Sequence, residues 1–165
     1  ESLNVDRVIF LPDQYLANHV AKKTKVKIIS WKGTCIVHEK FTAKEVEEVR
    51  AANPGIKIIA HPECPPDVIS VSDFAGSTAG MIDYVSKNKP KKVMLVTECS
   101  MSDNVEADNP DVEFIKPCNL CPYMKKINLE KILNCLENET NEIIIDKKIV
   151  DAARQSVQRM TEIGR

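Results

Sequence analysis

The chain of 165 residues predicts an α/β protein built from repeated units around parallel sheets, and two observations carry that prediction. The first is alternation, since short apolar runs of strand length take turns with stretches of helical apolar spacing from end to end. The second is an internal offset. Cys35 and Cys121 each close a strand-to-loop crossing, and 121 − 35 gives a period of 86 residues. Roughly the same offset sets Leu11-Pro12-Asp13 beside Val96-Thr97-Glu98, Lys27-Ile28-Ile29 beside Glu113-Phe114-Ile115, and Thr42-Ala43-Lys44-Glu45 beside Asn128-Leu129-Glu130-Lys131. Ile56-Lys57-Ile58-Ile59 likewise meets Glu142-Ile143-Ile144-Ile145. An offset kept through strand, loop, helix and strand again marks consecutive α/β repeats.

Taken in order, Val8-Ile9-Phe10-Leu11 is a strand-length apolar run. A helix is expected over 13–22, with Leu16, Ala17 and Val20 on its apolar stripe. Val26 to Ser30 forms the next strand, and a loop over 31–41 carries Gly33, Cys35 and His38. Thr42 with Glu45 makes a capping box that opens a helix with Ala43, Val46 and Val49 on its inner face, and Asn53-Pro54-Gly55 stops it. Ile56 to Ala60 has the unbroken apolar character of a parallel strand buried on both faces. The segment His61-Pro62-Glu63-Cys64-Pro65-Pro66 is too rich in proline for an interior element and leads to a short helix over 67–72. Gly76-Ser77-Thr78 opens the helix with Met81, Ile82 and Val85. Val93 to Val96 is a strand, 97–111 a polar loop, and Val112 to Ile115 a strand. A loop with Pro117, Cys118 and Cys121, a helix over 129–137, a strand Ile143–Ile145 and a helix over 149–162 complete the chain.

Composition narrows the function. An apolar share of 43% suffices for a core, and 23 Lys+Arg against 24 Asp+Glu leave a net charge of −1. No global field therefore draws the chain to nucleic acid or an anionic membrane. The lysines at 22–25 and 87–92 fall where helices end, where cations complement the helix dipole. No apolar run approaches the roughly 20 residues of a membrane span. Six cysteines without a secretory signal pattern point to reduced thiols and a cytoplasmic setting rather than to a disulfide framework.

In parallel α/β folds, loops at the carboxyl ends of strands carry the ligands, and His61, Cys35, Ser77, Glu98 and Cys121 all fall there. If repeated units close around a pseudo-symmetry axis, equivalent loop residues converge on it, and thiolates brought together there can bind a metal or an iron–sulfur cluster. A small buried thiol is the commoner fate of a cysteine. Cys118 with Cys121 forms a Cys-x-x-Cys, open to reading as a redox pair or as half of a zinc site. Cys64, Cys99 and Cys135 fall outside the repeated seam and read as inert. His61 and Glu63, held extended by Pro62, can present an imidazole donor and a proton-exchanging carboxylate to one small anion. A histidine at a strand end can equally be a satisfied structural group. Gly76-Ser77-Thr78 suits either an anion or plain N-capping.

The order Cys35-Ile36-Val37-His38, His61-Pro62-Glu63, Gly76-Ser77-Thr78 and Cys121-Pro122-Tyr123-Met124-Lys125 resembles the quinolinate synthase family, over essentially the whole chain. The resemblance implies three homologous three-layer αβα units around a pseudo-threefold axis, with one cysteine per unit binding a [4Fe–4S] cluster. It assigns 1–34 to the end of the second unit, 35–120 to the third, and 121–165 to a segment completing the first, whose remainder and cluster cysteine would lie upstream. Cys35 and Cys121 match the second and third metal ligands. His61, Pro62, Glu63, Ser77 and Thr78 match substrate-binding positions, with Glu63 the candidate proton-transfer group and His38 a catalytic candidate beside the cluster. The implied reaction condenses iminoaspartate with dihydroxyacetone phosphate to quinolinate, losing phosphate and water, in the cytoplasmic synthesis of NAD, with a functional link to L-aspartate oxidase. The alternatives are a thiol-rich zinc module and a catalytically inactive fragment of the synthase.

Overall fold

Every strand pair in the computed structural model, which describes residues 2–117 and 119–163, is parallel. Parallel neighbours need crossover connections, and the sequence supplies a helix for each of these pairs. β1 (Arg7–Phe10) and β2 (Lys27–Ser30) form a two-stranded sheet linked by α1 (Gln14–Ala21). A second sheet runs β4-β3-β5-β6, from β3 (Lys57–Ala60), β4 (Phe74–Ala75), β5 (Lys92–Val96) and β6 (Glu113–Phe114). Its connections carry α3 (Pro66–Ser70), α4 (Thr78–Asn88) and α5 (Cys99–Asp108), while α2 (Ala43–Ala52) precedes it.

The period of two along β3 and β5 makes this sheet the middle of three layers. Ile58, Ala60, Met94 and Val96 pack with Val46 of α2 and Val68 of α3 in one core. Ile59, Val93 and Leu95 pack with Met81 and Val85 of α4 and Val105 of α5 in the other. Both strands are therefore covered on both faces, as their continuous apolar runs require. Local signals set the helix ends. The reciprocal capping box of Thr42 and Glu45 opens α2, and Gly55 at φ +82° follows its end, a conformation that glycine adopts without steric cost.

The repeat is visible as register. Arg7 pairs with Lys27 and Lys92 with Glu113, offsets of 92 − 7 = 85 and 113 − 27 = 86 residues. Single 3-10 turns over His38–Lys40 and Met124–Lys126 stand at the same 86-residue offset.

The chain divides into two compact units, one over Val5–Pro122 and one joining Ser2–Asn4 to the residues from Tyr123 onward. The second contains α6 (Leu129–Asn138), capped by the side chain of Asn128, and α7 (Lys147–Ile163). Leu129, Leu136, Ile149 and Val157 on these helices are exposed.

Two expectations fail. Residues 97–111 are no polar loop, because α5 occupies most of them and buries Cys99, Ser102 and Val105. Small and polar residues on the inner face hide its period. Ile143–Ile145 forms no strand and lies exposed, because no described strand offers it a ladder, whereas its repeat partner β3 is paired on both sides.

Candidate active site

The carboxyl edges of the strands gather the polar residues, for a reason of register. Ala60 pairs with both Ala75 and Val96, so the residues that follow β3, β4 and β5 emerge side by side. His61 follows Ala60, Ser77 follows Ala75 at one remove, and Thr97 follows Val96.

At the centre, His38 is 7% exposed and both its ring nitrogens are engaged. Nδ1 lies 3.0 Å from Glu63 Oε2, and Nε2 lies 2.9 Å from Thr97 Oγ1. An ionised carboxylate only accepts, so in the neutral ring Nδ1 carries the proton and donates to Glu63, while the Thr97 hydroxyl donates to Nε2. His61 stacks on His38 with centroids 4.5 Å apart. The Glu63 amide donates to His61 Nδ1 over 3.3 Å, which leaves Nε2–H of the neutral ring as a donor.

These contacts separate the charge states. The hydrogen bond from His38 holds the Glu63 carboxyl below the ordinary range despite burial, so Glu63 is ionised near neutrality. Burial, reinforced by His38, lowers the pKa of His61 against the opposing fields of Glu63 and Asp13, so His61 is neutral. A carboxylate able to take a proton thus adjoins an imidazole able to donate a hydrogen bond.

The thiol of Cys35 joins this group, because one ligand atom each from Cys35, His38 and Glu63 lies within 4.8 Å of the others. Cys35 and Cys121 are both free and half-buried, and both flank the core cluster that contains Val37, Ala60 and Val96. Gly33 permits the approach of the Cys35 loop, since a Cβ there would stand 2.4 Å from the Pro12 carbonyl oxygen.

The structure therefore brings together Cys35, His38, His61 and Glu63. Pro62 is buried and borders a small hollow with Tyr15 and Cys64. Ser77 and Thr78 are exposed at the start of α4, where Ser77 Oγ caps the helix by accepting from the Gly80 amide. Cys118 lies outside the described residues. Cys99 is disulfide-bonded and so departs from its reading as an inert thiol. Asp13 and Thr97 also belong to the group, in the two segments that the repeat sets beside each other, Thr97 through His38 and Asp13 through the Cys35 amide. The repeat is the sequence signal that points to both segments.

The family model described as Quinolinate synthetase A protein matches residues 1–162. The quinolinate synthase of Agrobacterium fabrum is 55% identical over 163 residues, covering 99% of this chain and 47% of that protein. Quinolinate synthase 1 of Mesorhizobium japonicum is 54% identical, with 97% and 49% covered, and the Xylella fastidiosa Temecula1 enzyme is 55% identical, with 99% and 48% covered. The chain spans about half the length of the curated relatives it matches. Identity of this order along nearly every residue, with a family model matched over 1–162, makes this chain a member of the quinolinate synthase family.

Proposed function

We propose that this chain contributes catalytic and metal-binding residues to a quinolinate synthase that condenses iminoaspartate with dihydroxyacetone phosphate, releasing phosphate and water. The observation that carries the reading is the stacked His38–His61 pair, which engages the ionised Glu63 beside a free thiol at the carboxyl edge of a parallel sheet.

Glu63 accepts protons during the dehydrations, and His38 holds its carboxylate through Nδ1–H. Neutral His61 donates from Nε2 to a substrate oxygen. Pro62 keeps the two extended. Ser77 retains its hydroxyl proton while capping α4 and, with Thr78, anchors an anionic substrate group at a helix N-terminus. Two free thiols at repeat-equivalent positions flanking one core fit an iron–sulfur cluster, which thiolates hold. Cys35 and Cys121 would be two of three cysteine ligands, the third lying outside this chain. The bound [4Fe–4S] cluster would supply a Lewis-acidic iron. The isolated chain is accordingly expected to be inactive. The reading also implies a cytoplasmic setting and a functional link to L-aspartate oxidase as a source of iminoaspartate.

A second reading rests on the compact Cys35, His38 and Glu63 group, whose mixed donors suit a single zinc ion. Anaerobic reconstitution of the full-length protein separates the two. About four irons with matching sulfide, lost in Cys35→Ala and Cys121→Ala, together with activity lost in Glu63→Gln, supports the synthase. Zinc without sulfide, retained in Cys121→Ala, overturns it.

A further inference from the structure

Asp13 and Glu98 do more than cap helices. Asp13 Oδ1 accepts from the Leu16 amide at 2.7 Å as the N-cap of α1, while Oδ2 accepts from the Cys35 amide at 3.1 Å. Glu98 Oε2 accepts from the Ser100 amide at 2.7 Å as the N-cap of α5, while Oε1 accepts from the Cys121 amide at 3.4 Å. A second tie accompanies each. The residue after the cap donates to the carbonyl two residues before the cysteine, Gln14 to Gly33 at 2.9 Å and Cys99 to Asn119 at 3.1 Å.

The caps of α2, α4 and α6 are Thr42, Ser77 and Asn128, each using a single side-chain oxygen for capping. At the two seam cysteines the cap is instead a carboxylate with a second oxygen to spend on the loop. Both carboxylates are buried, at 2% and 9% exposure, a placement that costs free energy unless the oxygens are hydrogen-bonded.

We infer that Asp13 and Glu98 are the positioning residues for the thiolates of Cys35 and Cys121, each clamping the cysteine's own amide to the N-terminus of a helix. The inference rests on the reading of the two cysteines as cluster ligands. The clamp fixes the cysteine backbone against a helix instead of leaving it to a loop. It also turns the cysteine amide toward a carboxylate, so that this amide makes no hydrogen bond to sulfur. An added negative charge and a withheld N–H···S bond both disfavour a more reduced, more negative cluster.

Asp13→Asn and Glu98→Gln test this in the full-length protein, loaded anaerobically. Each variant keeps one carbonyl oxygen for the helix cap but replaces the other acceptor with an NH₂ group, which cannot accept from the cysteine amide. Thr42→Ala removes a cap that touches neither cysteine and is the control for general destabilisation. The expected result is iron release to a chelator about 10-fold faster or more in both variants, with the cluster's reduction midpoint shifted upward, while Thr42→Ala stays at the wild-type rate and potential. Apo-protein melting is followed alongside, and if Asp13→Asn does not fold, Glu98→Gln decides. Wild-type release and potential in the folded variants, or changes matched by Thr42→Ala, overturn the positioning role. Full iron retention in Cys35→Ala and Cys121→Ala instead overturns the ligand reading beneath it.

Discussion

The rings of His38 and His61 lie face to face, 8° from parallel, and engage Glu63 in different ways. His38 Nδ1 bonds the carboxylate at 3.0 Å, whereas His61 Nδ1 stays 3.7 Å from it and accepts the Glu63 amide instead. One imidazole is thereby committed to holding the acid, and the other keeps a free donor.

That commitment depends on Thr97, which is 4% exposed and bonds the far nitrogen of His38. Thr97→Val preserves shape but strands a buried ring nitrogen. It is expected to destabilise the protein by about 1–3 kcal/mol, read as a lower urea midpoint. An unchanged midpoint would mean that the hydroxyl bond contributes nothing net.

Gly33→Ala is expected to be more damaging than an alanine in a loop usually is. The added Cβ would meet the Pro12 carbonyl oxygen at 2.4 Å and Trp31 Cδ1 at 2.9 Å, and the first is backbone that cannot swing aside. A loss of about 1–3 kcal/mol together with a lower iron content after reconstitution is the expected outcome, checked by thermal melting and iron assay.

Asp73 predicts an acid-side loss of stability. Burial works against its charge, yet the Ile58 amide at 2.9 Å and the cations of Lys57 and Arg50, each at 3.1 Å, hold its carboxyl below the ordinary range. A carboxyl with a depressed folded-state pKa stabilises the fold above its unfolded value of about 3.9, and that contribution disappears as pH falls through the folded value. Asp73→Asn should therefore cost about 1 kcal/mol at neutral pH, with the gap to wild type closing below about pH 4 in pH-dependent urea titrations.

Cys64 should resist alkylation in the folded apo-protein. It is 1% exposed, its thiol donates to the Val96 carbonyl, and burial pushes its pKa up to about 12. Iodoacetamide at pH 8 followed by peptide mass mapping should modify the half-buried Cys35 and Cys121 well before Cys64, because the thiolate is the reacting species. Equal labelling would show that the loop from His61 to Pro66 opens readily.

The alternation of elements, the 86-residue offset and most of the helix ends are legible in the sequence, because these rest on local chemistry. Apolar period, the Thr42–Glu45 capping box and the stop at Asn53-Pro54-Gly55 act within a few residues of one another. The sequence also named Cys35, His61 and Glu63, whose motifs are short and contiguous. The remaining features are set by contacts between segments far apart in the chain. The order β4-β3-β5-β6 follows from which apolar faces find each other across the chain, and α5 exists through packing of Cys99 and Val105 that no period announces. The bond from Thr97 to His38 spans 59 residues and that from Asp13 to Cys35 spans 22. Such partners are set by where strands end in space, a property of the assembled sheet and not of any neighbourhood in the sequence.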